Sequence, residues 1–283
     1  MNNKKIVEIF KGDFHSSLNV KENDHNECST SKCIKAVVFD LDETLGSFSD
    51  LYLLWSGIKH IYPDFKNFSE LLDLYPEFLR CNILYILQYL YQKKIDQQCD
   101  KIYIYTNNQC KSRDWVYFIM NYFNDKVSSS KSKEIVLFDK VISTFKIGNK
   151  RIELSRTTHE KTHLDLINST MLPKNTEICF IDDKEYIQMK QDKVYYICPK
   201  AYSHSLSVSE MIERLIHSNL LQSDYKLLNS FGYWLNWFSL NNRSSNYKID
   251  SNNEINKIVS KKIMYYIREF FVFDQPDNRY PTI

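Results

Sequence analysis

Asp40 and Asp42 stand at i and i+2 directly after the apolar run Val37, Val38, Phe39, and their spacing carries more chemistry than any other in the chain. Two carboxylates so placed just past the end of a strand can face one crevice. A second pair, Asp182 and Asp183, follows the apolar run from Ile178 to Ile181. Four acids brought together repel one another and require a cation. Oxygen-only ligands suit Mg²⁺, so Asp40, Asp42, Asp182 and Asp183 are the candidate metal residues. The same set suits phosphoryl transfer, in which an aspartate attacks phosphorus and water hydrolyses the resulting aspartyl-phosphate. Asp40 is the candidate nucleophile. Asp42 is placed to protonate the leaving alkoxide and then to deprotonate the water. The phosphoryl oxygens also need donors, which the Thr106 hydroxyl, the Asn107 amide and the Lys161 ammonium can supply. Asn107 and Asn108 can equally end a strand, and Cys110 has no base beside it in sequence, so packing is its expected role.

A different metal chemistry is spelled by His159, Glu160 and His163, which fit the H-E-x-x-H pattern of zinc peptidases. That pattern needs both histidines on one face of a mid-helix turn. Here it falls at an expected helix start, and no third ligand stands at a compelling spacing. The two histidines are instead expected to flank Lys161 or to face solvent.

The elements that must position these residues are legible as alternating runs. Lys35 to Phe39, Lys101 to Tyr105, Glu177 to Ile181 and Lys193 to Cys198 are continuously apolar after a polar start, as strands buried on both faces are; Lys140 to Ser143 is a weaker fifth. Helical periodicity fills the gaps. Ser112 can cap a helix carrying Trp115, Phe118, Ile119, Tyr122 and Phe123 on one face, and Glu77 to Ile95 reads as a longer helix. Thr157 and Glu160 have capping-box spacing for a helix reaching about Asn168, with Lys161 in its first turn. The expectation is an α/β fold with a parallel sheet, helices on both faces, and ligands beyond the carboxyl ends of the strands.

Residues 1–33 read as a polar, flexible lead-in, 34–219 as the catalytic domain with a helical insert at 46–76, and 220–283 as a helical extension. The extension holds two amphipathic helices, about 225–240 and 255–273. Phe231, Trp234, Leu235 and Phe238 form an aromatic face that either packs on the domain or docks a protein partner. A formal charge of +2 gives no overall field for nucleic acid. The first residues contain no apolar run of a signal peptide, nothing later is long enough to span a bilayer, and the 7 cysteines lack CxxC pairs. A soluble, cytoplasmic protein in a reducing compartment is expected.

Asp-Leu-Asp-Glu-Thr-Leu at 40–45, then Thr106, Lys161 and Asp182-Asp183, arrive in the order of the four motifs of haloacid dehalogenase (HAD) superfamily phosphatases, which this chain resembles over about residues 34–217. The wording of the first and last motifs is similar in particular to the C-terminal-domain phosphatase and NLI-interacting-factor-like branch. The resemblance implies a HAD-like, Rossmann-like fold and Mg²⁺-dependent hydrolysis of phosphoserine or phosphothreonine in proteins. It implies Asp40 as nucleophile, Asp42 as acid, base and main-chain metal contact, Thr106 and Lys161 as phosphate binders, Asp183 as direct metal ligand, and Asp182 as support for Lys161. Nucleotide, nucleic-acid-end or small-metabolite phosphatases, and a non-catalytic scaffold, are the alternatives.

Overall fold

The computed structural model describes residues 6–14, 33–110, 114–128, 135–218, 220, 221, 232 and 253–272. Its elements in chain order are β1 (Val7–Lys11), β2 (Lys35–Phe39), α1 (Ser49–Ile61), α2 (Phe68–Leu74), α3 (Ile83–Ile95), β3 (Lys101–Tyr105), α4 (Trp115–Val127), β4 (Lys140–Ile142), β5 (Lys146–Ile147), β6 (Lys150–Arg151), α5 (His163–Thr170), β7 (Glu177–Ile181), β8 (Val194–Pro199), α6 (Val208–His217) and α7 (Asn253–Val272). Each apolar run is a strand. The main sheet has 6 strands in the order β1-β8-β7-β2-β3-β4, and β5 and β6 form a separate hairpin. Strands β4, β3, β2, β7 and β8 run parallel, while β1 pairs antiparallel with β8.

Burial on both faces explains the unbroken hydrophobicity of these strands. Val37 and Phe39 of β2 enter a large core shared with helices α1 to α4, α6 and α7. Ala36 and Val38, pointing the other way, join Tyr105, Phe180 and Tyr196 beneath Leu166 and Ile167 of α5. The chain moves outward from β2 through β3 to β4, then returns to the opposite side of β2 for β7 and β8. That reversal opens a crevice at the carboxyl ends of β2 and β7, the place where such sheets bind ligands.

Sequence and structure differ at three places. Residues 7–11, read as part of a flexible lead-in, form the edge strand β1, whose short Val-Glu-Ile-Phe run is too brief to register as a pattern. The helix expected from Glu77 starts only at Ile83, after a 3₁₀ turn at Pro76–Phe78 and a left-handed Asn82. Residues 79–81 are diverted because Gly46 bridges to Leu79 and the Arg80 amide donates to Leu45 O. The helix expected from Thr157 is α5, capped instead by Thr162, whose hydroxyl accepts from Asp165 N. The second helix of the extension, α7, packs on β1 and β8, with Tyr195 donating to Glu269 at 2.9 Å and Lys11 paired with the same carboxylate. The cap at Ser112, the first helix at 225–240 and its aromatic face lie outside the described residues, Gly232 of that stretch excepted.

Helix α1 and helix α2 occupy the insert, where Phe68 stacks on Phe118 of α4 and Trp55 meets the same ring edge-on. In α7, Ile267 is fully buried and Tyr265 is 63% exposed. Ile267→Ala should destabilise the protein by about 2 to 5 kcal/mol in urea unfolding, and Tyr265→Ala by less than about 0.5 kcal/mol.

Candidate active site

The segment after β2 extends the sheet by one bond before it turns. Asp40 N donates to Ile181 O at 2.8 Å, so Asp40 sits at the edge between β2 and β7. The chain then folds back, with Leu45 N donating to Leu41 O at 2.9 Å and Glu43 held at φ +60°. A side chain at Gly46 has no room, since a Cβ there would lie 2.4 Å from Phe78 O and 2.5 Å from the Phe48 ring. Buried Arg80 fixes this turn by donating to the carbonyls of Glu43, Thr44 and Lys200. Burial draws its guanidinium down to about 10.

Lys161 occupies the residue just before the Thr162 cap, and its side chain runs to the same edge. Its ammonium donates to Asp182 Oδ2 at 2.6 Å and to Asp40 Oδ1, with Lys161 and Asp182 each 1% exposed. Asp182 Oδ1 accepts from Lys184 N at 2.9 Å. The backbone before Lys161 is held by Arg156, whose guanidinium donates to the carbonyls of His159 and Glu160 on one side and to those of Thr106 and Ser143 on the other. Those carbonyls are therefore spent outside a helix, which is why the expected capping box at Thr157 does not form. Thr157 bonds instead to the Asp165 carboxylate.

The other expected residues converge on a cleft of about 420 Å³ lined by Asp40, Asp42, Thr106, Asn107, Asp182 and Tyr186, among others. Asn107 donates to Tyr186 Oη at 3.2 Å and keeps a buried amide oxygen with no protein partner. The Thr106 hydroxyl accepts from Asn108 N at 2.9 Å. Asn108 Nδ2 donates to Asp42 Oδ2 at 2.8 Å. Asp183 lies apart from the lysine and is held by Thr44, whose hydroxyl donates to Asp183 Oδ1 at 3.0 Å and accepts from Asp183 N at 3.0 Å.

Carboxylate oxygens of Asp40, Asp182 and Asp183 lie within 4.8 Å of one another and could hold one metal ion. The Asp42 carboxylate is outside that group and faces Asn108, which leaves its main-chain oxygen as the metal contact expected of it. Charge density in this crevice is high. Burial first, and the Asp40 charge second, push the Asp183 carboxyl up. Burial likewise pushes Asp42 up to about 6 against the hydrogen bond from Asn108, and Glu43 up to about 7. Burial opposes the Lys161 charge, but Asp182 and Asp40 outweigh it and keep the ammonium protonated. Three close carboxylates with one ammonium leave an excess of negative charge, which an oxygen-coordinated divalent cation would neutralise.

The H-E-x-x-H residues do not share a helix face. His159 and Glu160 precede α5, His159 packs edge-on against Phe145, and His163 opens the helix. No histidine belongs to a three-ligand group among the described residues. Sequence reasoning did not single out Thr44, Arg80, Arg156 or Tyr186, and it read Asn108 only as a strand end or phosphate donor. Thr44 and Asn108 were within reach, being two residues from Asp42 and Thr106; the arginines act across the fold and leave no local signature. No protein-family model, curated protein or solved structure matches the chain.

Because Thr44 alone supplies a side-chain hydrogen bond to the Asp183 carboxylate among the described contacts, a Mg²⁺ ion held by the Asp40, Asp182 and Asp183 cluster should bind about 10- to 100-fold more weakly in Thr44→Val, and at least as much more weakly in Asp183→Asn. Isothermal titration of the purified protein with MgCl₂ checks both.

Proposed function

We propose that this chain is a Mg²⁺-dependent phosphomonoester hydrolase that works through an aspartyl-phosphate on Asp40 and acts on phosphoserine or phosphothreonine in proteins. The observation that carries the reading is the Lys161 ammonium set between Asp40 and Asp182 at the carboxyl ends of β2 and β7, with the Asp183 carboxylate clustered against those two acids. The order and wording of the motifs, which resemble HAD phosphatases, support it, as does a doubly wound parallel sheet with the reversal at β2.

Under this reading Asp40 attacks phosphorus with one carboxylate oxygen while the ester P–O bond breaks. The electron pair leaves on the ester oxygen, which takes a proton from Asp42. Lys161, the Thr106 hydroxyl and the Asn107 amide stabilise the phosphoryl oxygens, whose charge must be met in a site partly closed to water. Asp42, now a carboxylate, removes a proton from the water that hydrolyses the aspartyl-phosphate, and Asp40 is regenerated. A Mg²⁺ ion held by Asp40 and Asp183 would add positive charge beside the phosphate oxygens. Asp182 then serves to orient Lys161.

The lining of the cleft supports a large substrate. Of the insert, only Ser49 lies among the lining residues, while the rest comes from the turn after β2 and the loops after β3 and β7. Asp40→Asn should fold normally by circular dichroism and release no phosphate from p-nitrophenyl phosphate above background in the presence of Mg²⁺. Turnover retained by that variant would remove Asp40 from the nucleophile's role.

A further inference from the structure

Asn108 is bound at both the oxygen and the nitrogen of its amide, and the pattern of those bonds decides which way it faces. Its Oδ1 accepts from Cys110 N at 2.9 Å, and its Nδ2 donates to Asp42 Oδ2 at 2.8 Å. The backbone amide of Cys110 can only donate, so the atom opposite it must be the amide oxygen, and the atom opposite Asp42 must be the NH₂. Asn108 N, in addition, donates to the Thr106 hydroxyl at 2.9 Å, which anchors the loop to the end of β3. Neither the flip of the amide nor its position is free.

The consequence falls on Asp42. A carbonyl oxygen accepts from an NH₂ group better than a hydroxyl oxygen does, so the bond from Asn108 favours the form of the acid in which Oδ2 is the carbonyl oxygen and Oδ1 carries the proton. Oδ2 of Asp42 is thereby the preferred acceptor. We propose that Asn108 is a positioning residue for Asp42: it locks the carboxyl rotamer and confines the transferable proton to Oδ1, the oxygen left for the substrate. This inference rests on the reading of Asp42 as the acid and base of phosphoester hydrolysis. In that reaction the P–O ester bond breaks as the Asp40–phosphorus bond forms, and the Oδ1 proton passes to the departing oxygen. Without Asn108 the carboxyl can rotate and carry its proton on either oxygen, so a smaller share of molecules is ready to deliver it.

The effect should depend on the leaving group. An alkoxide needs the proton as it departs, whereas p-nitrophenolate is stable as an anion at neutral pH and does not. The value of kcat/KM reports steps up to the first irreversible bond cleavage, so hydrolysis of the aspartyl-phosphate does not blur the comparison. Two variants separate positioning from loop structure. Asn108→Ala removes both side-chain bonds; Asn108→Ser keeps a hydroxyl that can accept from Cys110 N but has no NH₂ for Asp42. With a phosphoserine peptide, both variants should lose about 10²-fold in kcat/KM, a size typical of general acid catalysis, and with p-nitrophenyl phosphate less than about 5-fold. Equal losses on the two esters, or wild-type behaviour in Asn108→Ser, would reduce Asn108 to a loop-shaping residue and overturn the inference while leaving the hydrolase reading intact. Failure of the wild-type protein to release phosphate from either ester would remove that reading and this inference with it.

Discussion

An ammonium group with almost no access to water must have its charge met by the protein, and at Lys161 that requirement shapes the whole carboxyl edge of the sheet. Taking a charge out of water costs several kcal/mol unless partners of opposite sign surround it. Asp40 and Asp182 supply those partners from the ends of two different strands, so β2 and β7 must be neighbours and in register at their last residues. Losing either carboxylate would strand a buried cation, and losing the lysine would leave the acids facing one another. Together the three groups tie the middle of the sheet to the segment that leads into α5.

Two buried arginines solve a related difficulty for the backbone. Carbonyls beyond strand ends have no ladder partners, yet those at this edge are enclosed and need donors. Arg80 satisfies carbonyls in the turn after β2, and Arg156 those of Thr106, Ser143, His159 and Glu160. A guanidinium suits this because its planar fork reaches several acceptors at fixed angles. The chain gives up regular structure in return: Arg80 delays α3 to Ile83, and Arg156 pulls residues 159 and 160 out of α5. Lys161 consequently leads the helix instead of lying in its first turn, which lets its side chain run inward.

These trades mark where the sequence stops being legible. The central strands were readable because burial on both faces writes itself as an unbroken apolar run, and Asp40, Asp42, Asp182 and Asp183 were readable because each follows such a run. Strand β1 was not, since an edge strand of 5 residues among lysines looks like any polar segment. The capping box at Thr157 satisfied the local rule and lost to a guanidinium that the sequence cannot place beside it. Asn108 was seen as a strand terminator or phosphate donor; its bond to Asp42 joins residues 66 positions apart and exists only once β2 and β3 are paired. Local pattern located the site, and tertiary contacts decided what each side chain in it does.

The charge of the crevice also bears on the proposed chemistry. A phosphate monoester arrives as a dianion, and the charged side chains lining the cleft are Asp40, Asp42, Glu43 and Asp182 against Lys184, with Lys161 buried behind Asp40 and Asp182. Lys161 is already engaged by two carboxylates, so little of its field is left for a newcomer. Raised proton affinities at Asp42, Glu43 and Asp183 express the same surplus of negative charge. A divalent cation held by Asp40, Asp182 and Asp183 would cancel most of that surplus beside the phosphoryl group.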